Sequence, residues 1–166
     1  MKPGDHPEFF RFPAPEGQSR ESTIRLDGEG HFWHDGDLVD HPRLEEALHS
    51  WISRHPDDGR YILTNGYDWT YFTVDEVPFF VRGVRFEAAT GALTLLLSNG
   101  AESPATALSI GQDGALYAAV SVKGQPYEAR FTRHAQTQLE PALVEEGGEI
   151  AVRSGSDLLR PTPRAR

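Results

Sequence analysis

Ile24-Arg25-Leu26-Asp27-Gly28-Glu29-Gly30-His31-Phe32-Trp33 sets out a pattern that a second part of the chain repeats without a gap, as Leu108-Ser109-Ile110-Gly111-Gln112-Asp113-Gly114-Ala115-Leu116-Tyr117. In each copy, alternating apolar residues precede a four-residue turn that ends in an acidic residue and glycine. An apolar residue and an aromatic residue follow the turn. Alternation on both sides of a Gly-containing turn indicates two short antiparallel strands. We therefore predict a hairpin in each half of the chain.

Each predicted hairpin is followed by a segment with an apolar stripe at helical spacing. In residues 42–54 the stripe is Leu44, Ala47, Leu48, Trp51 and Ile52, and in residues 132–146 it is Ala135, Leu139, Ala142 and Leu143. Spacings of three, four and seven residues place such side chains on one helix face. Pro42 suits a first helical turn, whereas Pro141 is expected to kink or restart the second helix.

A third block completes the repeat. Asn65-Gly66 between two apolar runs predicts a hairpin over residues 61–74. Its residues Gly59, Tyr61, Leu63, Gly66, Asp68 and Trp69 align with Gly148, Ile150, Val152, Gly155, Asp157 and Leu158. The order of blocks predicts an α+β fold of two repeated modules, each with a helix packed on a curved antiparallel sheet. We expect an extended N-terminal arm at 1–21, modules at 22–98 and 99–160, and a flexible tail at 161–166.

Composition excludes several classes of function. The net charge of −9 and the scattered basic residues argue against nucleic-acid binding. Cysteine is absent, which excludes disulfides and thiolate metal sites. No apolar run approaches the roughly 18 residues of a membrane span, and the N-terminus lacks the apolar core of a signal peptide. A cytoplasmic location, no nucleic-acid or membrane partner and no cofactor are therefore expected.

Four motifs of the first half carry a family resemblance. They are His31-Phe32-Trp33-His34-Asp35-Gly36, a helix centred on Leu44, Asp58-Gly59-Arg60-Tyr61-Ile62-Leu63-Thr64 and Val74-Asp75-Glu76-Val77-Pro78-Phe79. The chain resembles the bacterial family called domain of unknown function 1285 over residues 23–98, and more loosely over 125–130. The resemblance implies an α+β protein with duplicated modules and no assigned activity, and it suggests a regulatory or signalling role.

A search for catalytic groups yields one alternative. His31, His34 and Asp35, with further acidic residues nearby, supply imidazole and carboxylate ligands suited to Zn²⁺ or Fe²⁺. However, His31 and His34 are three residues apart on a predicted strand and so point to opposite faces. A solvated hairpin turn around Gly36 explains the cluster more simply. A metal-dependent enzyme that uses His31, His34 and Asp35 stays an alternative hypothesis.

Aromatic residues crowd the first module and give the leading hypothesis. Tyr67, Trp69 and Tyr71 alternate, so they are predicted to share one strand face. Such side chains suit a ligand groove or a partner surface, although a core face with cross-strand pairing is the simpler explanation. We predict a non-enzymatic binding module for an unknown small molecule or protein. Its predicted ligand-binding residues are Trp33, His34, Tyr67, Trp69, Asp75, Pro78 and Phe79. A structural protein-interaction domain is the other alternative.

Overall fold

Short strands dominate the computed structural model, which describes residues 1–164. Two α-helices occur in this part of the chain, α1 at Pro42–Ser50 and α2 at Arg133–Gln138. The strands are β1 Arg25–Leu26, β2 Phe32–His34, β3 Asp37–Leu38, β4 Ile52–Arg54, β5 Tyr61–Thr64, β6 Trp69–Tyr71, β7 Thr73–Val74, β8 Phe79–Phe86, β9 Leu93–Leu97, β10 Glu102–Pro104, β11 Leu108–Ile110, β12 Leu116–Val122, β13 Gln125–Phe131, β14 Leu143–Glu146, β15 Glu149–Ser154, β16 Asp157–Leu159 and β17 Thr162–Pro163. Sheet with a minority of helix fits the predicted α+β class. Over residues 1–164 no helix has the length and apolar character that a membrane crossing needs.

The chain divides into two compact units. The first unit is Met1–Glu76 and the second begins at Val77. Strands β8 and β9 belong to the second unit, where β8 pairs with β13. The sequence analysis grouped these two strands with the first module, so the observed division lies earlier in the chain than the predicted one.

The first unit contains two small sheets. One has the strand order β3-β2-β1-β7, and the other has the order β4-β5-β6. In the first sheet Leu26 lies opposite Phe32, and β1 runs parallel to β7. In the second sheet Ile52 lies opposite Leu63. Leu26, Phe32 and Ile52 are at most 1 % exposed, and burying such side chains stabilises a fold by about 1.5–3 kcal/mol each.

The second unit has a larger and a smaller sheet. The larger sheet has the order β10-β9-β8-β13-β12-β11-β17, and the smaller has the order β14-β15-β16. Ile110 lies opposite Leu116, and β11 runs parallel to β17. Leu143 lies opposite Val152 in the smaller sheet. Phe79, on β8, is wholly buried in this unit.

Helix α1 begins as predicted but ends earlier. His41 caps its N-terminus, because the side chain accepts a hydrogen bond from the backbone N–H of Leu44, and Pro42 fills the first position. The helix ends at Ser50, and Ile52 belongs to β4. The prediction of helix as far as residue 54 was therefore wrong. The apolar side chain of Ile52 is buried by strand pairing with Leu63, which the local spacing does not reveal.

Helix α2 is shorter still. Thr132 caps it through the backbone N–H of Ala135, and the helix ends at Gln138. Pro141 lies in a separate 3₁₀ turn, Glu140–Ala142, and β14 follows at once. The prediction of one helix over 132–146 was wrong in its second half, because proline has no N–H for the helix and its ring clashes with the preceding turn.

Both chain ends are packed against their own unit. The arm contains two short 3₁₀ turns, Pro3–Asp5 and Phe9–Arg11, and Phe9 is buried. At the other end β17 pairs with β11, and the backbone N–H of Arg164 donates to the carbonyl of Ile110 at 2.8 Å. Residues 161–164 of the tail thus include a paired strand, and residues 165 and 166 lie outside the described residues. The flexibility of the tail stays a prediction.

Candidate functional site

An aromatic face lies on the sheet β4-β5-β6 of the first unit. Trp69 is 6 % exposed and packs with Phe9 and Ile62. Its ring centroid is 5.0 Å from that of His55 and 5.1 Å from that of Tyr71. Alternation along β6 places Trp69 and Tyr71 on the same side of the sheet. We call Phe9, Phe10, His55, Trp69 and Tyr71 the aromatic cluster.

Two arginines stack on this cluster. The guanidinium carbon of Arg20 lies 4.5 Å from the ring centroid of Trp69, and that of Arg60 lies 3.7 Å from the ring centroid of Tyr71. Both distances suit cation–π attraction. Arg20 also donates to Asp68 Oδ1 at 2.6 Å, and Arg60 donates to both carboxylate oxygens of Glu21. The cations are therefore held in place by carboxylates as well as by rings.

The loop Asp57-Asp58-Gly59 binds the hydroxyl of Tyr71. The Tyr71 hydroxyl donates to Asp58 Oδ2 at 2.7 Å. Burial and this hydrogen bond raise the pKa of Tyr71 to about 12, and the same hydrogen bond lowers the pKa of Asp58. Tyr71 is consequently a protonated hydrogen-bond donor at neutral pH, and not a base.

The tautomer of His55 follows from its hydrogen bonds. The backbone N–H of Asp57 donates to Nδ1 at 3.1 Å, so Nδ1 is the acceptor and a neutral ring carries its proton on Nε2. Nε2 lies 2.8 Å from the carbonyl oxygen of Phe10 and donates to it. His55 therefore holds the backbone of the N-terminal arm.

A small pocket opens beside Trp69. Its volume is about 180 Å³, and it is lined by Ile24, Leu48, Trp51, Leu63, Asn65, Asp68, Trp69 and Thr70. The pocket is apolar on the side of the helix and polar where Asn65, Asp68 and Thr70 lie. Within residues 1–164, the indole Nε1 of Trp69 and Nε of Arg20 are buried donors without an acceptor, and Arg20 is not among the residues that line the pocket. Buried donors of this kind usually have a partner.

A wider depression of about 610 Å³ lies in the second unit. Val84, Phe86, His134, Thr137, Gln138, Glu140 and Pro141 line it. Its two ionisable side chains, His134 and Glu140, are both exposed, so water screens them. The Gln138 side chain is already used, because it accepts the backbone N–H of Val84. The pocket at Trp69 is the better candidate site.

Three predicted site residues line neither pocket and lie elsewhere in the first unit. Trp33 is half-buried on β2, and its indole N–H donates to Asp27 Oδ2 at 2.8 Å. His34 is exposed, with Nε2 3.6 Å from Asp35 Oδ2. Asp75 pairs with Arg25 across the strands β1 and β7.

The remaining predicted residues differ in environment. Tyr67 is 63 % exposed in the turn before β6, near Lys2. Pro78 and Phe79 belong to the second unit and are buried, and Phe79 packs edge-on against Tyr127 at 5.0 Å between ring centroids. Trp69 alone among the seven predicted residues lines the pocket.

The metal alternative finds no supporting geometry. Over residues 1–164, no three His, Asp or Glu side chains come together in a group that could hold a metal ion. His31 is exposed next to the turn, and its backbone N–H donates to Asp27 Oδ1. Asp35 accepts a hydrogen bond from the Thr23 hydroxyl at 2.6 Å, so this carboxylate supports the β2–β3 turn.

Sequence reasoning assigned no site role to His55 or Asp57, and it named Asp58 only as the first residue of a family motif. The sequence did contain one sign that a site could lie in the first unit: acidic residues and tryptophans are concentrated there. The first unit has 7 Lys and Arg against 16 Asp and Glu, and the second has 9 of each, so the whole net charge of −9 belongs to the first unit. All three tryptophans, Trp33, Trp51 and Trp69, are in the first unit as well.

Two solved structures are similar to this chain. A DUF1285 family protein from Silicibacter pomeroyi DSS-3 is 17 % identical, with a TM-score of 0.66 over 92 % of each chain. A DUF1285 family protein from Shewanella baltica OS155 is 15 % identical, with a TM-score of 0.48 over 69 % of this chain and 87 % of that chain. No protein-family model and no curated protein matches the sequence. The predicted resemblance is confirmed as a likeness of fold to the first of these structures.

Proposed function

We propose that the protein is a non-enzymatic binding module whose first unit holds a small organic ligand in the pocket beside Trp69. The carrying observation is that apolar walls and a polar rim occur together there: Leu48, Trp51 and Leu63 are on one side, and Asn65, Asp68 and Thr70 are on the other. A compact ligand would bury its apolar part against Leu48, Trp51 and Leu63 and direct its polar end toward the rim.

The pocket also restricts the ligand. A volume of about 180 Å³ is below the 300–1,000 Å³ typical of sites for drug-sized molecules. The ligand is therefore small, or only one end of it enters. Leu48, Trp51 and Leu63 favour an apolar ring or chain. The side-chain NH2 of Asn65, whose oxygen already accepts from the backbone, favours a carbonyl or carboxylate oxygen. We propose a compact apolar molecule that carries one such acceptor.

Indole NMR signals of the full chain test this proposal. Benzamide and benzoate serve as probes, and the three indole N–H cross-peaks are assigned with the variants Trp33→Phe, Trp51→Phe and Trp69→Phe. We expect the probes to move the signals of Trp51 and Trp69 and to leave that of Trp33 unchanged. Trp33 is the matched control because it lies outside the pocket and its N–H is already paired. Unchanged Trp51 and Trp69 signals at 10 mM of either probe would contradict the proposal.

Native mass spectrometry of the protein from its own cells separates this function from the metal alternative. A bound organic molecule that Trp51→Leu loses and Trp33→Leu keeps supports the proposal. A stoichiometric transition metal that His34→Ala removes supports the enzyme instead. Binding roles for Trp33, His34, Tyr67, Asp75, Pro78 and Phe79 stay predictions, and Pro78 and Phe79 are buried in the second unit. A cytoplasmic location and a signalling role stay predictions.

We also propose that the two units contain copies of one module. Support comes from strand register: the alignment that places Leu26 on Ile110 also places its partner Phe32 on Leu116. In the smaller sheets, the pair Ile52 and Leu63 aligns with the pair Leu143 and Val152. The parallel additions of β7 to β1 and of β17 to β11 correspond too. Strands β8 to β10 precede the second copy and extend its sheet.

A further inference from the structure

Three consecutive residues of the N-terminal arm contact the first unit in three chemically different ways. Phe9 is buried against Ile62 and Trp69. The carbonyl of Phe10 accepts the hydrogen bond from His55 Nε2 at 2.8 Å. Arg11 binds Asp57 through two nitrogens, with Nη2 2.9 Å from Oδ1. The ring of Phe10 also packs edge-on against the rings of His55 and Trp69, at 6.0 and 6.1 Å between centroids. These contacts and the bidentate ion pair favour an aromatic-aromatic-arginine segment.

This segment is held like a tethered ligand. The eight residues that follow it, 12–19, are exposed except for Ala14, and Phe12 is 57 % exposed. The chain returns to the body at Arg20, whose carbonyl accepts the backbone N–H of Tyr71 at 2.7 Å. Gly4 makes a further backbone hydrogen bond to Gly66. A short tether of this kind gives the arm an effective concentration in the millimolar range.

Charge decides which other chain could use the same surface. Residues 22–76, which exclude the arm, carry 4 arginines against 12 Asp and Glu, a net charge of −8. Two such units repel each other, so exchange of arms between two copies is disfavoured. A basic segment is attracted and its association is accelerated.

We propose that the surface formed by Ile62, Trp69, His55 and Asp57 is a docking site for a basic partner segment of the sequence type aromatic-aromatic-arginine. In this structure the chain's own residues 9–11 occupy it. The docking surface shares Trp69 with the small-molecule pocket, whereas Ile62, His55 and Asp57 do not line that pocket. A partner segment binds only when it outcompetes the tethered arm, so the arm sets a threshold for binding.

The test uses the full chain with a weakened arm, the double variant Phe9→Ala and Arg11→Ala. The probe is a fluorescein-labelled peptide with the sequence of residues 6–14 in which glutamine replaces the glutamate, so that arginine is its charged side chain. Binding is followed by fluorescence anisotropy. We expect the double variant to bind the peptide at least tenfold more tightly than the wild type, because the competing arm is disabled. Phe12→Ala serves as the matched control and is expected to behave like the wild type, since Phe12 is exposed in the structure.

Further variants and salt concentrations show which contacts hold the peptide. Adding Asp57→Asn to the double variant, or replacing the peptide's arginine by glutamate, is expected to weaken binding at least fivefold. Raising NaCl from 0.05 M to 0.5 M is expected to weaken it as well. Absence of peptide binding up to 1 mM by a double variant that keeps its near-ultraviolet circular dichroism overturns the proposal.

Two other results need their own measurements: unfolding of the double variant, and dimerisation of the wild type. If the double variant unfolds, Arg11→Glu alone replaces it, because Arg11 is exposed and its loss leaves Phe9 in the core. A dimer of the wild type in sedimentation at 100 µM that Phe9→Ala abolishes would assign the surface to a second copy, and would overturn the assignment to a basic partner.

Discussion

Tyr71 joins the aromatic cluster to the loop that carries Asp57 and Asp58. Its ring is stacked by Arg60 and His55, and its hydroxyl is bonded to Asp58. None of these contacts is local, since Tyr71 and Asp58 are 13 residues apart. The alternation of aromatics along β6 predicted a shared face for Trp69 and Tyr71. Their partners come from elsewhere: Asp58, which accepts from the Tyr71 hydroxyl, lies in another loop, and Phe9, which packs on Trp69, lies in the arm.

The raised pKa of Tyr71 predicts a pH dependence of stability. An unfolded tyrosine ionises near pH 10, and folded Tyr71 has a pKa of about 12. The folded state keeps its proton longer, so this contribution to stability is complete below pH 10 and is lost as the pH rises from 10 to 12. Urea unfolding at pH 9.5 and 11.5 should show a smaller loss for Tyr71→Phe than for the wild type. Equal losses in the two proteins would contradict the hydrogen-bond assignment.

At the scale of elements, the turns were the most predictable part and the helix ends the least. Asp35-Gly36 and Lys123-Gly124 form two-residue turns with φ positive at both positions, between His34 and Asp37 and between Val122 and Gln125. The sequence analysis placed a turn at Gly36. Helix α1 could be predicted at Pro42 but not at its end, because Ile52 suits a helical stripe and a strand equally well.

Matched glycine variants test these two turns. Neither Gly36 nor Gly124 would bring a Cβ within 4 Å of another atom, so the cost of alanine there is purely conformational. We expect Gly36→Ala and Gly124→Ala each to lower the free energy of unfolding by about 1–2 kcal/mol, measured by urea denaturation. Gly28→Ala is the control, since Gly28 has no positive φ and its Cβ would lie 3.7 Å from Glu76. A loss for Gly28→Ala as large as the others would argue against the turn conformation as the cause.

At the scale of the whole molecule, the two units differ sharply in charge. The sequence gives the total of −9 at once, but its assignment to the first unit requires the boundary at Glu76, which sequence reasoning placed later. The candidate site illustrates the same limit of local patterns. His55 acquires its role from Phe10, a residue 45 positions away, and the Asp57 contact with Arg11 spans 46.

Charge reversal on each unit tests this asymmetry. Glu46 in the first unit and Glu145 in the second are both exposed. We expect Glu46→Lys to raise the melting temperature at 10 mM NaCl, because it reduces repulsion within an acidic unit. Glu145→Lys changes a neutral unit and should have a smaller effect. The difference should shrink at 1 M NaCl, where the Debye length falls to about 3 Å. The melting temperatures are measured by differential scanning calorimetry. A larger increase for Glu145→Lys than for Glu46→Lys would contradict this account.

The confinement of every tryptophan to the first unit gives the molecule a built-in optical label. Excitation at 295 nm selects indole, so the emission spectrum reports on Trp33, Trp51 and Trp69 and does not report on the second unit. Far-ultraviolet circular dichroism, in contrast, follows the strands of both units. A denaturation curve recorded by the two methods on one sample therefore reports whether the units lose their structure in a single step or in succession.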